Sequence, residues 1–261
     1  MNFCTLASSS SGNCTLVSHG DTYILIDAGI SMRRTVKALG GLDIKPEQLS
    51  GILVTHEHSD HICGLKMLLK YYDIPVYTSR IIGDDLCAVI PEIEKNLCIF
   101  NPSESFELGQ VGVRSYHTPH DVPESLGYRL EAGGRTLAFA TDLGIVTQEV
   151  YDGIKGADAA IVEANHDVEM LRTGPYPYHL KARILSEHGH LSNDLSGELC
   201  SALAEGGTRK IVLAHLSKKN NTPQIAYHTV SDALYEKGAQ EAGDVLLAVA
   251  PADQPGKLYT V

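Results

Sequence analysis

The sequence predicts a layered fold of sheets and helices, α/β or α+β, and three observations carry that prediction. Short apolar strand-like runs alternate with helix-like stretches along the chain. The polar and histidine-rich segments fall directly after those strands, where layered proteins build their sites from loops. Beyond one serine run, no repeat, low-complexity tract or linker divides the 261 residues, so one domain over 1–261 is expected.

The elements follow in order. Residues 3–7 and 14–18 read as strands flanking a Ser-Ser-Ser-Ser-Gly-Asn loop at 8–13. Residues 23–27 form a third strand, Tyr-Ile-Leu-Ile ending in Asp27, and 31–39 a short helix closed by Gly40 and Gly41. A buried strand at 51–55 precedes a helix over 61–72, which stops before Pro75. Strand signals recur at 75–78, 97–100, 111–116, 126–131 and 135–140, the last two joined through Ala-Gly-Gly as a hairpin. A buried strand at 159–163 comes next, then helices at 179–188 and 194–205. A strand at 210–214, a helix at 223–237 and a strand at 245–249 complete the pattern.

Bulk composition narrows the function. Charged residues at 20% and hydrophobic residues at 43% describe an ordinary soluble globular protein. No apolar run approaches the roughly 18 residues needed to cross a membrane. The N-terminus lacks the basic and apolar regions of an export signal. The six cysteines form no CxxC pair, which points to free thiols and a cytoplasmic setting. A net charge of −11 opposes a broad nucleic-acid footprint but leaves room for a local basic rim.

The most specific segment is His56-Glu-His58-Ser-Asp60-His61, which follows the strand Gly-Ile-Leu-Val-Thr. Residues two apart share a side, so His56 and His58 can address one point. After the turn, Asp60 and His61 can address a second. Imidazole and carboxylate together suit Zn, Mn or Fe. Further on, the chain carries His117 and His120 in Tyr-His-Thr-Pro-His-Asp, Asp142 in Ala-Thr-Asp-Leu-Gly, and His215 in Leu-Ala-His-Leu-Ser.

With these motifs the sequence resembles the metallo-β-lactamase-fold hydrolases over nearly its whole length. The resemblance implies an α+β, four-layer αββα sandwich. It implies two divalent metal ions, one held by His56, His58 and His120, the other by Asp60, His61 and His215, with Asp142 bridging. His120 fits the pattern better than His117. Asp27 is expected to orient a ligand rather than to be one. Two ions about 3.5–4 Å apart acidify water and neutralise phosphate charge. Asp60 has a second expected role, orienting the attacking hydroxide.

Three further features narrow the branch: Glu163-Ala-Asn165-His166-Asp, then Gly189-His190-Leu-Ser192-Asn193, then the helix leading into the strand before His215. Their order resembles the phosphodiesterase branch. There a glutamate at the place of Glu163 pairs with a histidine at the place of His190, which protonates the leaving oxygen. An alkoxide leaves poorly, so a positioned imidazolium helps, and a carboxylate behind the ring favours that charged form. Ser192 and Asn193 lie near a helix start suited to phosphate, although an N-cap role suits either equally. Asn165 and His166 are weaker candidates for substrate contact. Only residues 143–214 separate Asp142 from His215, too few for a β-CASP insertion.

The whole pattern most resembles the compact YycJ/WalJ-like family. That resemblance implies a 5′→3′ DNA exonuclease with a role in DNA repair, in which metal-held hydroxide attacks phosphorus. DNA is favoured over RNA as the substrate partner. The alternatives are a cyclic phosphodiesterase for a small metabolite, a thioester or lactone hydrolase, and a non-enzymatic accessory. Arg33, Arg34 and Lys37, then Arg172, Lys181 and Arg183, then Lys218 and Lys219 sit near motif loops and are candidates for a basic rim. Tyr176 and Tyr178 are expected to serve packing, with stacking on a terminal base as the alternative. The serine loop is either a tight turn or a phosphate contact offered by Ser9, Ser10, Ser11 and Asn13.

Overall fold

A computed structural model describes residues 1–102, 104–238 and 244–261. Its strands are β1 (Asn2–Ala7), β2 (Cys14–His19), β3 (Thr22–Ile26), β4 (Gly51–Leu53), β5 (Val76–Thr78), β6 (Leu97–Ile99), β7 (Ser105–Leu108), β8 (Val111–His117), β9 (Leu126–Ala132), β10 (Arg135–Ala140), β11 (Ala159–Glu163), β12 (Lys210–Ala214), β13 (Leu246–Val249) and β14 (Tyr259–Thr260). They form two seven-stranded mixed sheets, ordered β14-β1-β2-β3-β4-β5-β6 and β13-β12-β11-β10-β9-β8-β7. In each sheet an antiparallel set passes into a parallel one, at β3–β4 in the first and β10–β11 in the second.

Alternation along the strands separates the layers. On β10, Leu137 and Phe139 join the core that also holds β1–β5 residues, while Ala138 and Ala140 face a second core. The same parity holds on β11, with Ile161 toward the first core and Val162 toward the second, and on β12, with Val212 and Leu213. The second core is closed by the helices Gln148–Ile154, Asn193–Glu205 and Pro223–Glu236, through residues such as Val150, Leu199 and Val230. Strands covered on both faces read as continuous apolar runs, as β11 and β12 do. The αββα sandwich expected from the sequence is therefore the architecture found, with no insertion between Asp142 and His215 beyond these elements.

The sheets are tied where the site forms. Leu126 N donates to Thr55 O at 3.0 Å, and the buried Tyr128 hydroxyl donates to Val54 O at 2.6 Å. Between β9 and β10 the hairpin turns on Gly133 and Gly134, both at positive φ, the conformation a two-residue turn of this kind demands.

Some elements differ from the sequence reading. The helix expected over 61–72 is two, Ser59–Ile62 and Leu65–Tyr71. Gly64 separates them because a side chain there would strike the carbonyl oxygens of Ile30 and Ala28. The helix expected over 179–188 runs Tyr178–Ile184, and Gly189 then folds against the Ile184 and Arg183 carbonyls. The helices Arg80–Val89, Gln148–Ile154 and Val168–Thr173 and the strands β7 and β14 escape the sequence pattern.

Candidate active site

Every candidate ligand follows the carboxyl end of a strand. Asp27 follows β3, residues 56–61 follow β4, His120 follows β8, Asp142 follows β10, and His215 follows β12; Glu163 ends β11. Crevices at such strand ends are the usual sites of open mixed sheets. Asp27, Asp142 and His215 each adopt φ near +60°, uncommon for residues other than glycine. Each strand therefore ends in a sharp left-handed turn that aims its side chain back into the crevice.

Donor atoms converge there in groups, each within 4.8 Å: His56, His58 and His120; Asp60, His61 and His215; and His56, His61 and Asp142. The first two match the two ligand sets expected from the sequence, and Asp142 touches both sides. His61 Nε2 lies 3.4 Å from Asp142 Oδ2, and His215 Nε2 lies 3.4 Å from Asp142 Oδ1. His56 Nε2 and Asp142 Oδ2 are buried with no hydrogen-bond partner. Buried polar atoms of that kind are rare in native proteins, and here they face one another's ligand groups, as donors to a cation would. These residues fit divalent ions. His117 lies apart, held by Glu149 at 2.9 Å and Glu124 at 3.1 Å on the surface.

A surrounding layer fixes the rings. Asp27, fully buried, accepts from His61 Nδ1 at 2.7 Å and from the Thr55 backbone N–H at 2.9 Å. It thereby orients His61, as the sequence led us to expect. His120 Nδ1 donates to Gly189 O at 3.2 Å. Glu163 accepts from His190 Nδ1 at 2.7 Å and also from His215 Nδ1 at 2.9 Å, through the same Oε1. Its Oε2 accepts from the Leu143 and Leu191 backbone at 3.0 and 3.3 Å.

The electrostatics draw positive charge inward. Burial opposes the charged Glu163 carboxylate, but His190 and His215 outweigh it and hold the group well below the usual carboxylate range. Burial opposes Asp60 in the same way, and hydrogen bonds from His215 and His61 again prevail. His215 is pushed up to about 10, since Asp142, Asp60 and Glu163 overcome the cost of burying it. His56, deep and surrounded by imidazoles, is held well below its ordinary value by burial and by His61 and His120.

The expected substrate-contact residues divide. Ser10 and Ser11 are exposed at the loop tip. Asn13 is buried, and its amide turns inward to Asp60 Oδ2 at 3.3 Å and His61 Nε2 at 3.2 Å. Ser9 is buried and bonds Ser11, with its N–H donating to Asn13 Oδ1. Asn165 donates to the His215 carbonyl at 3.0 Å. Asn193 is locked in a mutual amide pair with Asn221, and Ser192 caps the helix through Leu195 N. His166 is buried with neither ring nitrogen paired. Thus Asn13, Asn165 and Asn193 have their side chains committed to the protein, because each sits where a loop must be pinned under the site.

Of the rim residues, Arg34 and Lys218 both reach Asp253, at 3.7 and 3.1 Å. Arg183 pairs with Asp121, and Lys181 donates to the Arg172 carbonyl at 2.7 Å. Tyr178 is 86% exposed, contrary to the packing role expected. Three contributors escaped sequence reasoning. Ser8 Oγ accepts from His215 N at 2.8 Å. Thr55 Oγ1 lies among Asp27, His56 and His61. Asn221 holds both Asn193 and the Ala164 carbonyl. Each adjoins a motif in the sequence, since Ser8 opens the serine run, Thr55 precedes the histidine motif and Asn221 lies shortly after His215.

Fold and site together define a metal-dependent hydrolase of the metallo-β-lactamase fold. Residues 22–216 match the beta-lactamase superfamily domain. The structure is similar to Zn²⁺-bound PqqB from Methylobacterium extorquens, with a TM-score of 0.73 at 18% identity, covering 98% of this chain and 100% of that one. The sequence is 40% identical to exodeoxyribonuclease YycJ of Bacillus anthracis over 241 residues, 91% of this chain and 90% of that protein. It is 35% identical to exodeoxyribonuclease WalJ of Streptococcus pneumoniae over 234 residues, 88% and 86% of the two. The chain belongs to the metallo-β-lactamase superfamily and, within it, to the YycJ/WalJ family.

Proposed function

We propose that this protein is a cytoplasmic, single-domain 5′→3′ DNA exonuclease with two divalent ions in its site and a role in DNA repair. The observation that carries the reading is the Glu163–His190 pair, 2.7 Å apart beside two converging ligand groups. Its relatives' activity on DNA supports the choice of substrate.

His56, His58 and His120 would hold one ion, Asp60, His61 and His215 the other, with Asp142 between. When bound, such ions supply Lewis acidity toward phosphate oxygens and water. The chain's own groups do the rest. Asp60, with its side chain 21% exposed, accepts a proton-bearing contact from the attacking water and aims it. His190, with its side chain 20% exposed and its Nδ1 fixed on Glu163, presents Nε2 toward the cleft. Glu163 fixes the ring, and a proton on His190 passes to the leaving oxygen. Ser10 and Ser11 offer hydroxyls to the phosphate from the opposite loop.

The test uses purified protein, Mn²⁺, and end-labelled DNA and RNA bearing 5′-phosphate or 5′-hydroxyl ends, beside Asp60→Ala. Stepwise release from DNA 5′ ends, absent in the variant, is expected. Hydrolysis of a cyclic nucleotide without cleavage of any polymer would overturn the reading.

A further inference from the structure

The two flanks of the site differ in charge. On the His58 and His120 flank, Asp121 lies 3.2 Å from His120 and 3.9 Å from His58. Glu57 and Asp85 stand on the same side. Arg183 is consumed by Asp121. On the Asp60, His61 and His215 flank, Arg34 and Lys218 both pair with Asp253, and Lys37 lines the same groove. Arg33, Lys37 and Lys219 have no ion-pair partner among the described residues.

A groove of about 420 Å³ lies on that second flank. Leu42 and Pro255 give it accessible apolar surface, Leu6 and Ile30 are buried in its lining, and Asp253 lines it as well. Arg34 and Lys37 line it from the helix Met32–Gly40, three residues apart and so on one face. Ile30 also meets Gly12, where any side chain would strike it, so the lining continues under the serine loop. That loop is bonded to Asp60 through Asn13 and to Leu216 through Ser10 N at 3.3 Å. Ser10 and Ser11 of that loop are exposed.

We infer that this groove binds the body of the DNA strand: one nucleoside rests on Leu42 and Pro255, while Arg34 and Lys37 take the adjoining phosphates. The inference rests on the nuclease reading above and deepens it. Apolar surface suits a base face, and cations at its edge suit a polyanion.

Binding of a phosphorothioate-ended single-stranded 20-mer to the metal-loaded protein, read by fluorescence anisotropy against salt, tests this. Arg34→Glu/Lys37→Glu is expected to weaken binding at least tenfold. Losing two phosphate contacts makes the slope of log Kd against log salt shallower by about 1.4. The ratio of kcat/KM for the 20-mer over a dinucleotide should fall at least tenfold. Lys37→Glu alone, at an exposed and unpaired position, keeps the test independent of the Arg34–Asp253 contact and should weaken binding about threefold or more. Lys70→Glu/Lys95→Glu, exposed and outside the rim, should change either quantity less than twofold. Unchanged binding in the groove variants, or an equal loss in this remote pair, would overturn the inference. A parent protein that hydrolyses bis(p-nitrophenyl) phosphate but neither binds nor cuts the 20-mer would instead remove the nuclease reading beneath it.

Discussion

His190 and His215 present their Nδ1 atoms to the same oxygen, Glu163 Oε1, at 2.7 and 2.9 Å. One carboxylate thus orients both the proposed proton donor and a candidate metal ligand. The two roles separate by mutation. His190→Ala is expected to slow turnover by about 10²–10⁴ while the bound metal count stays the same. Glu163→Gln keeps one acceptor but loses the charge, so metal affinity and turnover should both fall, affinity by about 10–100-fold. Metal content and kcat measured together distinguish them; full metal occupancy and undiminished turnover in Glu163→Gln would dissolve the link to His215.

Ser8 supplies the acceptor for the buried His215 N–H. Ser8→Ala leaves that donor unpaired inside the protein, at a cost of about 1–3 kcal/mol. Denaturant unfolding should show the loss. A midpoint unchanged from the parent's would mean that another acceptor replaces the hydroxyl.

Chelation should act on stability as well as activity. The ligand groups are buried, and ions that bind only the folded chain add about 2.7 kcal/mol at a hundred times their Kd. Dialysis against a chelator is expected to lower Tm and abolish hydrolysis, with both restored by Mn²⁺ or Zn²⁺. A Tm indifferent to the chelator would argue against ions in this cluster.

His166 makes stability depend on pH. Burial, partly offset by Glu163, pushes its ring down to about 4. Between that value and the unfolded value near 6.5, the unfolded chain binds the proton and the folded chain does not. Stability therefore rises with pH across this window and is lost as pH falls. At pH 5 the loss from this one group is about 2 kcal/mol. In chelated protein, His166→Asn should reduce the drop in unfolding free energy between pH 7 and pH 5 by about that amount. An identical drop in both proteins would show that the ring carries its proton in the fold.

Much of this was legible in the sequence, and the losses have physical causes. Strands buried on both faces announce themselves as apolar runs, so β3, β4, β11 and β12 were placed within a residue or two. The helix Arg80–Val89 was hidden because Gly83, Asp84 and Asp85 lie in its middle, and packing overrides their poor propensity. The edge strand β14 is two residues long and exists only because Tyr259 meets Phe3 across the chain. At the site, residue type and spacing revealed the histidines and carboxylates. They could not reveal that the amides of Asn13 and Asn193 turn inward, since an asparagine near a loop serves substrate or scaffold with the same letter. Long-range partners such as Ser8 for His215 leave no local trace at all.

The serine loop is bonded to Asp60 on one side and to His215 and Leu216 on the other. During synthesis, residues 1–61 emerge long before residue 215. Half of the ligand cluster must then wait, with Asn13 already able to shield Asp60 and His61, until most of the polypeptide has been made. The complete ligand cluster is consequently among the last features of this protein to be born.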